Sequence, residues 1–136
     1  MSTTLNFLEE DLCIIPDEIL TKAIRSLGSF YAAINLMDAK TLAMDHLNPA
    51  KSIKRAQNIE RYGVFTNKKV LEVGSGYGTN LIVWSKLFNI DGYGVEPDSV
   101  GFESSYAISR ELMSVNNLDP QRIFNSAGEK LPFPDG

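Results

Sequence analysis

A single cysteine, Cys13, excludes an internal disulfide and any cysteine-rich zinc site. It lies in the apolar stretch Leu12-Cys13-Ile14-Ile15, where a thiol serves as a small hydrophobe. Histidine is equally scarce. His46 stands alone, with no acid or nucleophile at a catalytic spacing, and reads as an ordinary surface or core residue. Positive charge is in the minority: the net charge of -4 argues against a surface that tracks nucleic-acid phosphates. Lys51, Lys54, Arg55 and Arg61 form the local basic cluster and read as a solvated helix face. No stretch nears the roughly 20 apolar residues of a membrane span. Met1-Ser2-Thr3-Thr4 lacks the basic flank and apolar run of a signal peptide, so a cytoplasmic location is expected.

What is present suits a globular domain. With 136 residues, 43% of them hydrophobic, the chain can bury a core. Residues 1–67 carry no repeat or low-complexity tract and read as helical. Leu20, Ile24, Leu27, Tyr31, Ile34 and Met37 recur at three- and four-residue steps, which predicts one helix with an apolar face. Asp17 and Glu18 fall in its first turn, and Gly28-Ser29 mark a break or kink. A second helix is predicted from Asn48 as cap and Pro49 at the first position, with Gly63 as terminator.

From Lys68 the pattern changes. Val70–Val73 reads as a strand, and a helix follows from Thr79 to Phe88 with Leu81, Trp84, Leu87 and Phe88 inward. Asp91-Gly92 reads as a turn into a second strand, Tyr93-Gly94-Val95. Pro97 and Asp98 then open a helix that carries Phe102, Tyr106 and Leu112 inward and ends at Asn116-Asn117. Arg122–Asn125 reads as a third strand, before a loop holding Gly128, Pro132 and Pro134. The alternation predicts an α/β fold: a Rossmann-like, doubly wound parallel sheet, of which three strands are visible, preceded by the helical segment.

The chemistry concentrates between the first strand and its helix. Gly74, Gly76 and Gly78 pave a turn where the backbone must curve tightly and let a ligand lie against it. The helix that begins there aims free amides at the same space. A dinucleotide fingerprint would place glycine or alanine at position 79, which is Thr79 here. Glu72, just before the turn, would repel a pyrophosphate and attract an ammonium or sulfonium. Both details disfavour an NAD-dependent oxidoreductase and favour a cationic ligand.

Glu72-Val73-Gly74-Ser75-Gly76-Tyr77-Gly78 resembles the first motif of class I S-adenosylmethionine-dependent methyltransferases. Glu96 is similar to that family's acid at the end of the second strand, and Ala127-Gly128-Glu129-Lys130-Leu131-Pro132-Phe133 resembles the loop after the third. The resemblance spans residues 68–136. It implies that Gly74 and Gly76, with Ser75, Tyr77 and Gly78 beside them, line the methionine portion of S-adenosyl-L-methionine, and that Glu72 orients its amino group. Glu96 would accept hydrogen bonds from the ribose hydroxyls. Pro97 and Asp98 would flank the adenine, and Gly128 would offer it a backbone amide with Glu129 nearby. Ala127 departs from the acid common at that position; either Ser126 substitutes or that bond is missing. Tyr77 either covers the cofactor or packs on the helical segment.

The function so implied is methyl transfer to a small-molecule acceptor, leaving S-adenosyl-L-homocysteine. No residue is assigned as a catalytic base, and no metal or membrane is expected. In the family the Leu-Pro-Phe loop leads into a fourth strand beside the first. Residues 68–136 are therefore expected to be a partial cofactor-binding domain, the N-terminal portion of a longer enzyme, with 1–67 as a cap. The first strand would then present a bare edge able to form a homodimer. The alternative function is a non-catalytic, methyltransferase-like binding or dimerisation module.

Overall fold

The computed structural model describes residues 12–30, 36–98, 104–129 and 131–132. The chain runs through helices α1 (Asp17–Phe30), α2 (Leu36–His46) and α3 (Pro49–Glu60), then strand β1 (Lys69–Val73). Helix α4 (Thr79–Phe88), strand β2 (Asp91–Val95), helix α5 (Ser105–Val115), a 3-10 turn (Pro120–Arg122) and strand β3 (Ile123–Phe124) complete it. The result is a mixed α/β architecture with a three-stranded parallel sheet in the order β1-β2-β3.

The predicted N-terminal helix is two helices. Gly28 and Ser29 do not break α1, which continues to Phe30, and a separate α2 begins at Leu36. Tyr31 and Ile34 lie outside the described residues. Asn48 caps α3 as expected, its Oδ1 accepting from the Ala50 amide at 3.0 Å, with Pro49 in the first turn. The helix ends at Glu60 with Arg61 as its cap, ahead of Gly63.

Strand β2 begins at Asp91, so Asp91-Gly92 is not a turn. Gly92 pairs with Val70 in the parallel ladder, and a Cβ there would meet Ile90 Cδ1 at 3.1 Å and Leu81 Cδ2 at 3.3 Å. Tight packing of α4 and the Ile90 side chain on this face therefore overrides the local turn signal. Asp91 ion-pairs with Arg122, whose guanidinium lies 4.7 Å from the centre of the Tyr93 ring. This pair and the cation–π contact tie β3's approach to the middle strand. The third strand is shorter than its sequence pattern, holding Ile123 and Phe124.

Helix α5 does not open at Pro97 and Asp98. It starts at Ser105, where the Ser104 hydroxyl accepts from the Ala107 amide at 3.1 Å. Ser104 in turn donates to Asp98, so the acid supports the cap from outside the helix. Phe102 lies outside the described residues. In α4, Leu81, Ile82, Val83 and Trp84 are buried while Leu87 is exposed, because neighbours cover this helix on more than one side.

One of those neighbours is the N-terminal segment. Trp84 Nε1 donates to the Ser52 carbonyl of α3 at 2.8 Å, and Phe65 meets the Trp84 ring edge-on at 5.4 Å. On α5, Asn116 exchanges two hydrogen bonds with the Ile14 backbone, at 2.7 and 2.9 Å. Cys13, Ile19, Ala23 and Leu47 share one apolar core with Leu81, Ile108 and Leu112. Burying this continuous surface is what holds the helices and the sheet together.

The two faces of the sheet differ. Val70, Glu72, Gly92, Gly94 and Ile123 share the face packed by helices. On the other, Leu71 and Val73 stand 37% and 55% exposed. Parallel sheets are normally covered on both faces.

Candidate functional site

Strands β1, β2 and β3 all point the same way, so Glu72, Glu96 and the residues after Phe124 reach the same end of the sheet. The amides of Gly74 and Ser75 both donate to the Val95 carbonyl, at 2.9 and 3.1 Å, anchoring the turn to the end of β2. The Glu96 amide donates to the Phe124 carbonyl at 3.0 Å and extends the ladder one step.

The turn itself uses left-handed backbone: φ is 71° at Gly74, 59° at Gly76 and 80° at Gly78. A Cβ at Gly74 or Gly76 would meet nothing within 4 Å, so both glycines face open space. Three positive-φ residues in five would strain any other sequence by about 1–2 kcal/mol per residue. Gly78 sits at the start of α4 with no side-chain cap, which leaves the first amides of that helix unclaimed by a capping side chain. Gly78 itself is buried against Ser109.

A cleft of about 420 Å³ opens beside this turn. Glu72, Gly74, Ser75, Gly76 and Tyr77 line it, joined by Thr79 and Asn80 from the first turn of α4. Its remaining wall comes from the N-terminal helices: Asp45 and His46 at the end of α2, and Arg55 on α3.

Glu72 is the electrostatic centre. Its Oε2 accepts from Asn80 Nδ2 at 2.7 Å, while Oε1 is buried with no hydrogen-bond partner among the described residues. Burial pushes the carboxyl above the ordinary glutamate range; the Asn80 hydrogen bond and the Arg55 charge pull the other way, and Glu96 adds a small upward push. A buried, unpaired acceptor is costly, and a cation or ammonium donor would offset that cost.

The other candidates divide. Glu96 Oε1 accepts from the Gly76 amide at 3.1 Å, so the second-strand acid is turned toward the glycine turn. Pro97 is exposed just beyond it, and Asp98 is held by Ser104 and by its amide donating to Asn125 Oδ1 at 2.9 Å. Gly128 lies over the end of β1, where a Cβ would come 2.8 Å from Val73 Cγ1. Ala127 and Glu129 flank it, outside the residues that line the cleft. Tyr77 is buried; its hydroxyl reaches the Ala23 carbonyl at 3.4 Å and its ring lies 5.9 Å from His46. It packs on the N-terminal helices and also contributes to the cleft.

Comparison with protein-family models, with curated proteins and with solved structures found no match to this chain. The geometry is thus the ground for a functional reading. Among the described residues, no group of three or more histidine, cysteine, aspartate or glutamate side chains is placed to hold a metal ion. No described helix is long and apolar enough to cross a membrane.

Sequence reasoning missed five lining residues: Asp45, His46, Arg55, Thr79 and Asn80. Arg55 is exposed, but it is not a purely solvated cation, since its Nη1 donates to Asn80 Oδ1 at 3.1 Å. The available signal was the pairing of Ser52 with Arg55, three residues apart and so on one face of α3.

Proposed function

We propose that this chain binds S-adenosyl-L-methionine at the ends of β1–β3, as the cofactor-binding part of a class I, Rossmann-like methyltransferase. The observation that carries the reading is the unpartnered, buried Glu72 Oε1 beside a turn whose glycines face open space. An ammonium satisfies that oxygen, and the bare backbone at Gly74 and Gly76 admits a ligand to contact distance. Glu96 keeps its second oxygen for a ribose hydroxyl while the first holds Gly76. Pro97 borders the adenine, and Ala127, Gly128 and Glu129 approach it from the third strand's loop. The residues present fit the group.

When bound, the sulfonium supplies an activated methyl group. The chain's own contribution is alignment, worth roughly 7–11 kcal/mol of barrier in favourable cases. The acidic balance of the chain favours a small-molecule acceptor over nucleic acid, in the cytoplasm. Calorimetry tests the reading with S-adenosylmethionine, S-adenosylhomocysteine and NADH. Saturable binding of the first two, lost in Glu72→Ala, supports it; a folded protein that takes up neither refutes it.

A second reading has its own support in the exposed Leu71 and Val73 beside the edge of β1 that no described strand pairs. It makes the chain a non-catalytic module that pairs with another copy through this strand. Sedimentation equilibrium distinguishes the two: a dimer broken by Val73→Lys, with no nucleoside binding, favours the module.

A further inference from the structure

Helix α3 brings a guanidinium to the same cleft as the orphaned carboxylate oxygen of Glu72, and Asn80 joins the two groups. Asn80 Oδ1 accepts from Arg55 Nη1 at 3.1 Å and from Ser52 Oγ at 2.7 Å, while its Nδ2 donates to Glu72 Oε2 at 2.7 Å. The direction is forced. Arginine can only donate and an ionised carboxylate can only accept, so the amide must present oxygen to one and nitrogen to the other. The relay holds a cation and an anion apart at a short, fixed separation, each with capacity left over. Glu72 retains Oε1, and Arg55 has five N–H donors, of which one is used on Asn80 among the described residues.

A ligand that satisfies both must carry an ammonium and a carboxylate a few bonds apart. That is the head of an α-amino acid. Asp45 also lines the cleft and lies within electrostatic reach of Arg55, but it is ion-paired with Lys51. Its charge is thus partly answered by Lys51, and Arg55 remains the cation nearest Glu72's relay.

We infer that Arg55 and Glu72, coupled through Asn80, form a receptor for a zwitterionic amino-acid group, with Arg55 taking the carboxylate. The inference rests on the methyltransferase reading, since the methionine end of the proposed cofactor is such a group. It adds a residue from the N-terminal helices to the binding site. Those helices thereby become part of the site rather than a separate cover. Guanidinium suits the role because its planar fork engages a carboxylate through two parallel bonds, which an ammonium cannot reproduce.

The test is isothermal titration of the full chain with matched ligands. S-adenosylmethionine carries both charged groups, decarboxylated S-adenosylmethionine lacks the carboxylate, and 5'-methylthioadenosine lacks both. Wild-type protein is expected to prefer the complete ligand over the decarboxylated one. Arg55→Gln should weaken S-adenosylmethionine about tenfold or more and leave decarboxylated S-adenosylmethionine and 5'-methylthioadenosine unchanged. Arg55→Lys should recover part of the loss. Because Arg55 is exposed, both variants should keep the wild-type melting temperature to within a few degrees. Equal losses for complete and decarboxylated ligands, or no loss for either, would overturn the assignment while leaving the cofactor reading intact. If wild-type protein binds none of the three, the cofactor reading itself fails and the inference falls with it.

Discussion

The backbone amide of Gly76 donates to Glu96 Oε1 at 3.1 Å, fastening the glycine turn after β1 to the acid that ends β2. Two segments separated by a whole helix thus meet through one charge-assisted hydrogen bond. The bond fixes the shape of the turn, which would lower the ordering cost of binding a ligand there.

This bond separates structure from recognition at Glu96. Glu96→Gln keeps an acceptor for Gly76 and should cost little stability, while Glu96→Ala should lose about 1–2 kcal/mol. On the proposed reading both variants should lose most of the S-adenosylhomocysteine affinity, because alanine removes the acceptor and glutamine, with its oxygen on Gly76, turns an NH2 donor toward the ribose hydroxyls. Thermal unfolding and calorimetry on the same samples read the two effects apart.

Gly94 is required by its neighbour. A Cβ at this position would lie 2.6 Å from Ser75 Oγ, 2.8 Å from Ser75 Cβ and 3.0 Å from Ile123 Cδ1. Gly94→Ala should destabilise the protein by about 1–3 kcal/mol through overpacking. Adding Ser75→Gly removes the two closest atoms and should recover part of the loss. Urea unfolding midpoints of the single and double variants measure the coupling.

Glu72 should make stability depend on pH. Its carboxyl is raised above the ordinary range by burial, so the fold prefers its protonated form. That preference is fully expressed below the unfolded value of about 4.3 and fades as pH climbs through the higher folded value. Glu72→Gln, neutral at every pH, should therefore be more stable than wild type at pH 7–8. The advantage should shrink toward pH 4, as followed by denaturant titration across that range. An unchanged difference between pH 4 and pH 8 would remove burial as the cause.

Cys13 should be chemically silent in the folded protein. It is buried, and burial pushes its thiol up to about 12, against a small opposing effect of Lys86. Almost no thiolate then exists at pH 8, and thiolate is the reactive species. Labelling with a disulfide reagent should stall under native conditions and reach one thiol per chain in guanidinium. Fast native labelling would show that residues around Cys13 open readily.

Local signals made the strand–turn–helix unit legible. Helix α4 begins at Thr79 and ends at Phe88 as its pattern indicated, because glycines at positive φ and the apolar run that follows are properties of neighbouring residues. The cap at Asn48 and Pro49 was legible for the same reason. Asp91-Gly92 misled, since those two residues favour a turn in isolation. Pairing with Lys69 and Val70 under the side chains of Leu81 and Ile90 makes them strand. The division of the first helical pattern into α1 and α2 was hidden because the apolar spacing continues across it.

The sequence by itself determined that a carboxylate, three glycines and a later acid would gather at one end of a parallel sheet. Motifs of this kind are short-range, and the right-handed connection of parallel strands leaves few ways to arrange them. Only the tertiary structure decided what stands opposite. Packing of α3 on α4, through Trp84 and Ser52, carries Arg55 to Asn80 and so to Glu72. That proximity depends on how two amphipathic surfaces fit together, which is settled by long-range burial; the spacing of Ser52 and Arg55 fixes only that they share a face of α3.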